Sequence, residues 1–244
     1  ISHLPSHISH LRSRRLLSSP RVVATVHRLE DLRSLATHPP DADVCDLLEF
    51  RIDNLRDHLD TVERAMAASA LPCLVTARHP EEGGAGALDH AERETLLRRF
   101  LPVTALVDVE IRSLPAMTDL VEKAHGSRVV VVASCHDFEK PIPVPDLETA
   151  MTDAQTASAD VLKIAMTLSS LADLCPLALF TEAAVTNGNL VATMGMGPLG
   201  KVSRLVLAAA GSCLNYGYLH EPNAPGQWPA AELKRLITEI APDS

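Results

Sequence analysis

Residues 160 to 167 read "DVLKIAMT", a short apolar run interrupted by one charge. Val161, Leu162, Ile164, Ala165 and Met166 describe a buried strand, and Lys163 stands in the middle of them. Seven comparable runs surround it: "VVATV" from Val22, "DLLEFRI" from Asp46, "CLVTAR" from Cys73, "ALVDVEI" from Ala105, "VVVVAS" from Val129, "LVATM" from Leu190 and "CLNYGY" from Cys213. Between them lie segments of helical period. Leu29, Leu32 and Ala36 form one stripe, which stops at Pro39 and Pro40. Asp89 with Glu92 makes a capping box ahead of Leu96, Leu97, Phe100 and Leu101. Further stripes are Leu147, Ala150, Met151 and Ala154, then Val202, Leu205, Val206 and Ala209, and a last helix opened by Pro229 with Leu233, Leu236, Ile237 and Ile240. Strands alternating with helices imply parallel pairing, because a parallel connection needs a long return that a helix supplies. Eight such units, their strands starting 23 to 32 residues apart without a compositional break, predict an α/β fold, a single (β/α)8 TIM barrel over residues 21–244. An open doubly wound sheet has the same periodicity.

The bulk numbers agree with one sizeable core: 244 residues, 46% of them hydrophobic. A net charge of −9 argues against nucleic acid or an anionic membrane surface as partner, so an anionic ligand needs a local basic pocket. Five scattered cysteines without a C-x-x-C pair indicate reduced thiols and a cytoplasmic setting rather than a disulfide frame or zinc site. No apolar run approaches the roughly 18 residues of a membrane span. Residues 1–20, "ISHLPSHISHLRSRRLLSSP", begin without Met and read as a disordered or tag-like extension, with some likeness to a transit peptide. His3, His7 and His10 have helical metal-ligand spacing, but Pro5 interrupts that helix, and no metal site is assigned.

A barrel of this type builds its active site at the C-terminal ends of its strands. Those positions hold Glu49, Arg51 and Asp53; Arg78 followed by "HPEEGGAG"; Asp108, Glu110 and Arg112; His136 in "SCHDFEKP"; Lys163; Met194, Met196 and Arg204 around "TMGMGPLGKVSR"; and Gln227 in the loop "LHEPNAPGQWP". Each also fits a purely structural role: Glu49 and Arg51 as an ion pair, His136 as a packing histidine, Lys163 as a lysine snorkelling to the rim. Together they suggest specific chemistry. A lysine among apolar groups and near other cations is more often the neutral amine that attacks a carbonyl to form a Schiff base. A nearby histidine can take and return a proton near neutral pH. The run Gly195 to Lys201 fits G-x-x-x-x-G-K, but Val202 replaces the magnesium-binding Ser or Thr and Pro198 removes an N–H, so a nucleotide loop is rejected. Arg204, one turn into the next helix, is the better anion contact.

The ordered set "EFRID", "TARHPEEGG", "VDVE", "SCHDFEKP", "LKIA", "MGMGPLGKVSR" and "APGQW" resembles the type I 3-dehydroquinate dehydratases, lyases of the shikimate pathway and aromatic amino acid biosynthesis. The resemblance runs from about residue 21 to 241. It implies a barrel that dehydrates 3-dehydroquinate to 3-dehydroshikimate through a covalent imine, without metal or organic cofactor, as a homodimer. Carried over by position, Lys163 is the Schiff-base lysine, His136 the general acid and base, and Glu82 the carboxylate that orients it. Glu49, Arg51 and Arg78 bind the ring hydroxyls, Arg204 and Gln227 the substrate carboxylate, and Met194 and Met196 an apolar wall. Three departures stand out. Asn223 replaces a common Ser or Thr in the substrate-binding loop, Cys135 replaces a common aromatic residue beside His136, and residues 1–20 show no hairpin to close the barrel bottom. Other readings are a different Schiff-base barrel such as a class I aldolase, which normally binds a phosphate, and a noncatalytic barrel.

Overall fold

The computed structural model describes residues 16–240. Its eight strands are β1 Arg21–Val26, β2 Leu47–Arg51, β3 Cys73–Thr76, β4 Leu106–Glu110, β5 Val130–Asp137, β6 Val161–Thr167, β7 Leu190–Met196 and β8 Leu214–Tyr218. All pair in parallel in the order β7-β6-β5-β4-β3-β2-β1-β8. The Cys213 N–H donates to Val191 O at 2.8 Å, and the Thr193 N–H to Ser212 Oγ at 2.9 Å, which brings β8 back to β7. This is a single (β/α)8 barrel, and the open sheet is excluded. The helices that return the chain are α1 Leu29–Thr37, α2 Leu59–Ala68, α3 His90–Phe100, α4 Thr118–Gly126, α5 Val144–Thr156, α6 Leu171–Thr186, α7 Gly200–Ala209 and α8 Ala230–Ile240. Among the described residues no helix is long and apolar enough to cross a membrane.

Strand alternation divides the core into two parts. Leu48, Phe50, Val75, Val107, Val131, Leu162 and Ile164 face outward and pack with the helices. Val23, Leu47, Leu74, Leu106, Val130, Val161 and Leu214 face inward and fill the barrel's lower end. Leu17 joins this inner cluster, 2% exposed, so part of the segment before β1 contributes to the closure of that end. His3, His7 and His10 lie outside the described residues.

The sequence anticipates most of the elements, with informative exceptions. The Asp89 box forms as expected, Asp89 accepting the Glu92 N–H and Glu92 the Asp89 N–H, both at 2.9 Å. Strands β5 and β7 run farther than their apolar cores, because the neighbouring ladder continues: His136 pairs with Ala165 and Met196 with Thr167. The stripe Val202, Leu205, Val206 and Ala209 is not the buried face of α7. Val202 and Val206 face solvent, while Gly200, Ser203, Arg204, Leu207 and Ala208 are buried. The inward face carries polar groups with internal partners, which a hydrophobicity pattern misassigns. Helix α6 is apolar on both sides, with Leu174 and Leu177 buried and Leu171 and Leu179 exposed, so it shows no stripe at all.

Candidate active site

The polar ends of the strands converge on an open-mouthed cleft at the C-terminal end of the barrel. Thr25, Glu49, Arg51, Arg78, Glu82, His136, Lys163, Met194, Met196, Arg204, Tyr216, Asn223 and Gln227 all line it. Every candidate substrate or catalytic residue of the sequence reading is therefore brought to one place. Arg112 is not among them: β4 ends at Glu110, and Arg112 turns outward to pair with Glu81 at 2.6 Å.

Lys163 is 3% exposed and points into the barrel. Its apolar sequence neighbours Leu162 and Ile164 lie on the opposite face of β6, against the helices, so they are not its surroundings. Nζ instead donates to Asp108 Oδ2 at 2.9 Å, lies 3.9 Å from Glu49 Oε1, and sits over the Tyr216 ring, 4.0 Å from its centroid. The expectation of a lysine in an apolar pocket is corrected by the two-residue repeat of a strand, which puts adjacent residues on opposite faces.

A buried charge network holds this arrangement. Arg78 Nη1 and Nη2 each donate to one oxygen of Asp108 at 2.9 Å, and Nη1 also reaches Glu110 at 3.0 Å. Burial alone would lower the Arg78 pKa, but Asp108 and Glu110 outweigh it and raise it. Burial likewise opposes the charged form of Asp108, and Arg78 and Lys163 reverse this to hold its carboxyl well below the usual range. Glu110 is closed from the other side by Arg93 of α3, a fully buried arginine whose Nε also donates to Ala77 O at 2.8 Å. Glu49 accepts from Thr25 Oγ1 at 3.0 Å and Thr76 Oγ1 at 2.8 Å. Its predicted partner Arg51 is engaged elsewhere, with Nε 3.0 Å and Nη2 2.8 Å from the two oxygens of Asp53.

Glu82, at the end of the short turn Pro80–Glu82, accepts both the Nδ1 proton of His136 at 2.9 Å and its backbone N–H at 3.0 Å through one oxygen. That contact directs Nδ1 away from reaction chemistry and leaves Nε2 as the free ring nitrogen. Burial, with Arg78 and Lys163 nearby, pushes the imidazole pKa well below 6.5, which favours the neutral ring. Burial, then the charge of Glu110, raises the Glu82 carboxyl to about 7. Cys135 does not disturb this face. It lies on the opposite side of β5 against the strand–helix core, its thiol raised to about 11 by burial and by Glu82.

Arg204 is 1% exposed, and no carboxylate among the described residues pairs with it. Nε donates to Tyr216 O at 2.9 Å, and Nη1 is shared by the carbonyls of Gly195, Gly200 and Gly226 at 2.7 to 2.9 Å. Nη2 bonds no described group. Burial lowers this guanidinium to about 10, and a buried cation without an acid suits an anionic ligand. Gln227 approaches from the loop after β8, its Oε1 accepting the N–H of Asn223 at 2.9 Å and of Ala224 at 3.3 Å. Asn223 Oδ1 is buried without a partner among the described residues.

Some of the site was not foreseen. Asp108 and Glu110 were visible at a strand end, and alternation puts both inward, but nothing in the sequence named Asp108 as the partner of Lys163. Tyr216, two residues after inward-facing Leu214, follows the same signal. Arg93 has none, being one charge in a charged helix.

A family model described as type I 3-dehydroquinase matches residues 22–243. The 3-dehydroquinate dehydratase of Lactiplantibacillus plantarum is 36% identical over 216 residues, covering 84% of this chain and 86% of the relative. That of Shouchella clausii is 31% identical over 240 residues, covering 93% and 92%. The crystal structure of 3-dehydroquinate dehydratase from Geobacillus kaustophilus superposes with a TM-score of 0.80 at 26% identity, covering 91% of both chains. The Clostridium difficile type I enzyme, solved with covalent modified comenic acid, gives 0.81 at 25%, covering 91% of this chain and 92% of the other. With the whole barrel matched and the cleft built as above, the chain belongs to the type I 3-dehydroquinase family.

Proposed function

We propose that this hydro-lyase dehydrates 3-dehydroquinate to 3-dehydroshikimate through a Schiff base on Lys163, with His136 as general base and then general acid. The observation that carries this reading is the presence of the Lys163 amine and the Glu82-bound imidazole on neighbouring strands of one cleft, with Ser134 level with Lys163 and His136 level with Ala165. The amine adds to the ketone carbon, and water leaves to give the protonated imine. Neutral His136 takes a proton from the adjacent carbon, and the electron pair moves to the imine nitrogen as an enamine. The pair then returns, the C–O bond breaks, and the hydroxyl leaves as water with the proton from His136. Hydrolysis of the conjugated imine releases product and restores the amine.

Glu49, Arg51 and Arg78 supply polar contacts for ring hydroxyls, Asn223 a further one, and Met194 and Met196 the apolar wall. Arg204 and Gln227 take the carboxylate. This assignment answers the charge problem of an acidic protein: a buried arginine with which no carboxylate among the described residues pairs receives an acidic substrate. The covalently modified ligand in the Clostridium difficile relative supports a covalent step. The family resemblance also leads us to infer a cytoplasmic homodimer, for which exposed Leu171, Leu179, Val202 and Val206 on the adjoining helices α6 and α7 offer apolar surface.

Borohydride reduction in the presence of 3-dehydroquinate, followed by peptide mass analysis, tests the chemistry. A reduced adduct on Lys163 is expected, absent in Lys163→Ala. His136→Ala retains trapping but loses nearly all turnover. A folded wild-type enzyme without an adduct at Lys163 excludes the imine, and full activity in His136→Ala excludes that base.

A further inference from the structure

Tyr216 of β8 lies with its ring face beneath the amine of Lys163, 4.0 Å from Nζ to centroid, and is 3% exposed. Strand β7 runs between β6 and β8, and its inward residue level with Lys163 is Ala192. A single methyl there leaves space for the ring. Tyr216 packs in the inner apolar cluster, and its hydroxyl has no hydrogen-bond partner among the described residues. The ring is therefore held by packing. Burial, with Glu49 and Asp108 nearby, keeps the phenol neutral far above its ordinary range.

Resting on the Schiff-base reading above, we propose that Tyr216 is a further catalytic residue whose ring face stabilises the cationic imine on Lys163. The physical reason lies in how the charge changes shape. An ammonium carries three N–H donors, whereas a protonated imine carries one, and Asp108 stands where the resting amine donates at 2.9 Å. The rest of the imine's charge spreads onto carbon, where no donor exists for an oxygen acceptor to meet. An aromatic face attracts such a cation without needing a donor. In the second half of the reaction the neutral enamine regenerates a conjugated cationic imine as the hydroxyl leaves, and a ring face there lowers the barrier.

The test replaces Tyr216 by Phe, by Leu, and by mono-, di- and trifluorinated phenylalanine, each assayed with 3-dehydroquinate. Tyr216→Phe keeps the ring and is expected to retain kcat within about twofold, while Tyr216→Leu loses roughly tenfold in kcat with a smaller change in KM. Fluorine withdraws electron density from the ring face with little change of shape, so kcat falls stepwise along the series. A flat fluorine series overturns the proposal, since packing would then explain any loss in Tyr216→Leu. Equal damage in Tyr216→Phe and Tyr216→Leu also overturns it, in favour of the hydroxyl. If Tyr216→Leu fails to fold, the fluorinated series still decides. Borohydride trapping of the wild type separates the two levels: no Lys163 adduct defeats the Schiff-base reading itself, whereas an adduct with a flat series defeats only the role of Tyr216.

Discussion

At the residue scale, the pair His136 and Glu82 sets the pH behaviour. The imidazole lies well below 6.5 because burial and the cations Arg78 and Lys163 disfavour its charged form. A base must be neutral, so the acid limb of kcat/KM attributable to His136 in the free enzyme is expected below pH 6.5 rather than at it, which a pH–rate profile measures. Glu82 has the opposite displacement, raised to about 7 from 4.5, so its folded form holds a proton that the unfolded chain has released. Its contribution therefore lowers stability as pH rises through that window and is fully unfavourable above it. Glu82→Gln keeps an oxygen for the Nδ1 proton and removes the charge. It is expected to raise the urea midpoint at about pH 8 but not at about pH 4, while kcat falls by roughly 10²-fold because the imidazolium loses its counter-charge.

At the scale of elements, the site depends on how the loop after β8 is seated on the start of α7. Gly226 has a φ of +77°, and a Cβ there would lie 2.7 Å from Gly197 O and 2.8 Å from the Gly200 Cα. Backbone meets backbone at that point, which brings the Gly226 carbonyl to Arg204 and sets Gln227 beside it. A second anchor joins the loop to the first turn of α1, where His220 Nδ1 lies 2.9 Å from buried Asp31 Oδ1. Gly226→Ala is expected to lift the loop from α7 and lower kcat/KM by roughly 10- to 100-fold, mainly through KM, with the far-UV circular dichroism of the barrel preserved. Steady-state kinetics check this. The G-x-x-x-x-G-K pattern that includes Gly200 is thus a feature of close packing, consistent with its rejection as a phosphate loop.

At the scale of the whole molecule, the barrel is closed at the junction of β7 and β8, the two strands at the ends of the ladder order, which no strand ladder joins. Ser212 compensates: its Oγ accepts the Thr193 N–H at 2.9 Å and donates to Thr193 O at 3.2 Å, both buried. Ser212→Ala leaves two backbone groups unpaired there and should cost about 1–3 kcal/mol in urea denaturation.

The chain's pattern of apolar runs and helical stripes was enough to determine the eight-fold alternation, because periods of two and of about 3.6 are local properties of strand and helix. Strand alternation also makes the inward direction of Glu49, Arg51, Asp108 and Lys163 legible. What the sequence alone could not decide was who meets whom across the barrel. The pairing of Lys163 with Asp108, the buried clamp of Arg93 on Glu110, the Tyr216 ring beneath the amine, and the Gly226 carbonyl on Arg204 join residues 17 to 55 positions apart. Such contacts follow from strand register and closure, which bring distant residues to one level of the barrel, and only the tertiary structure sets them.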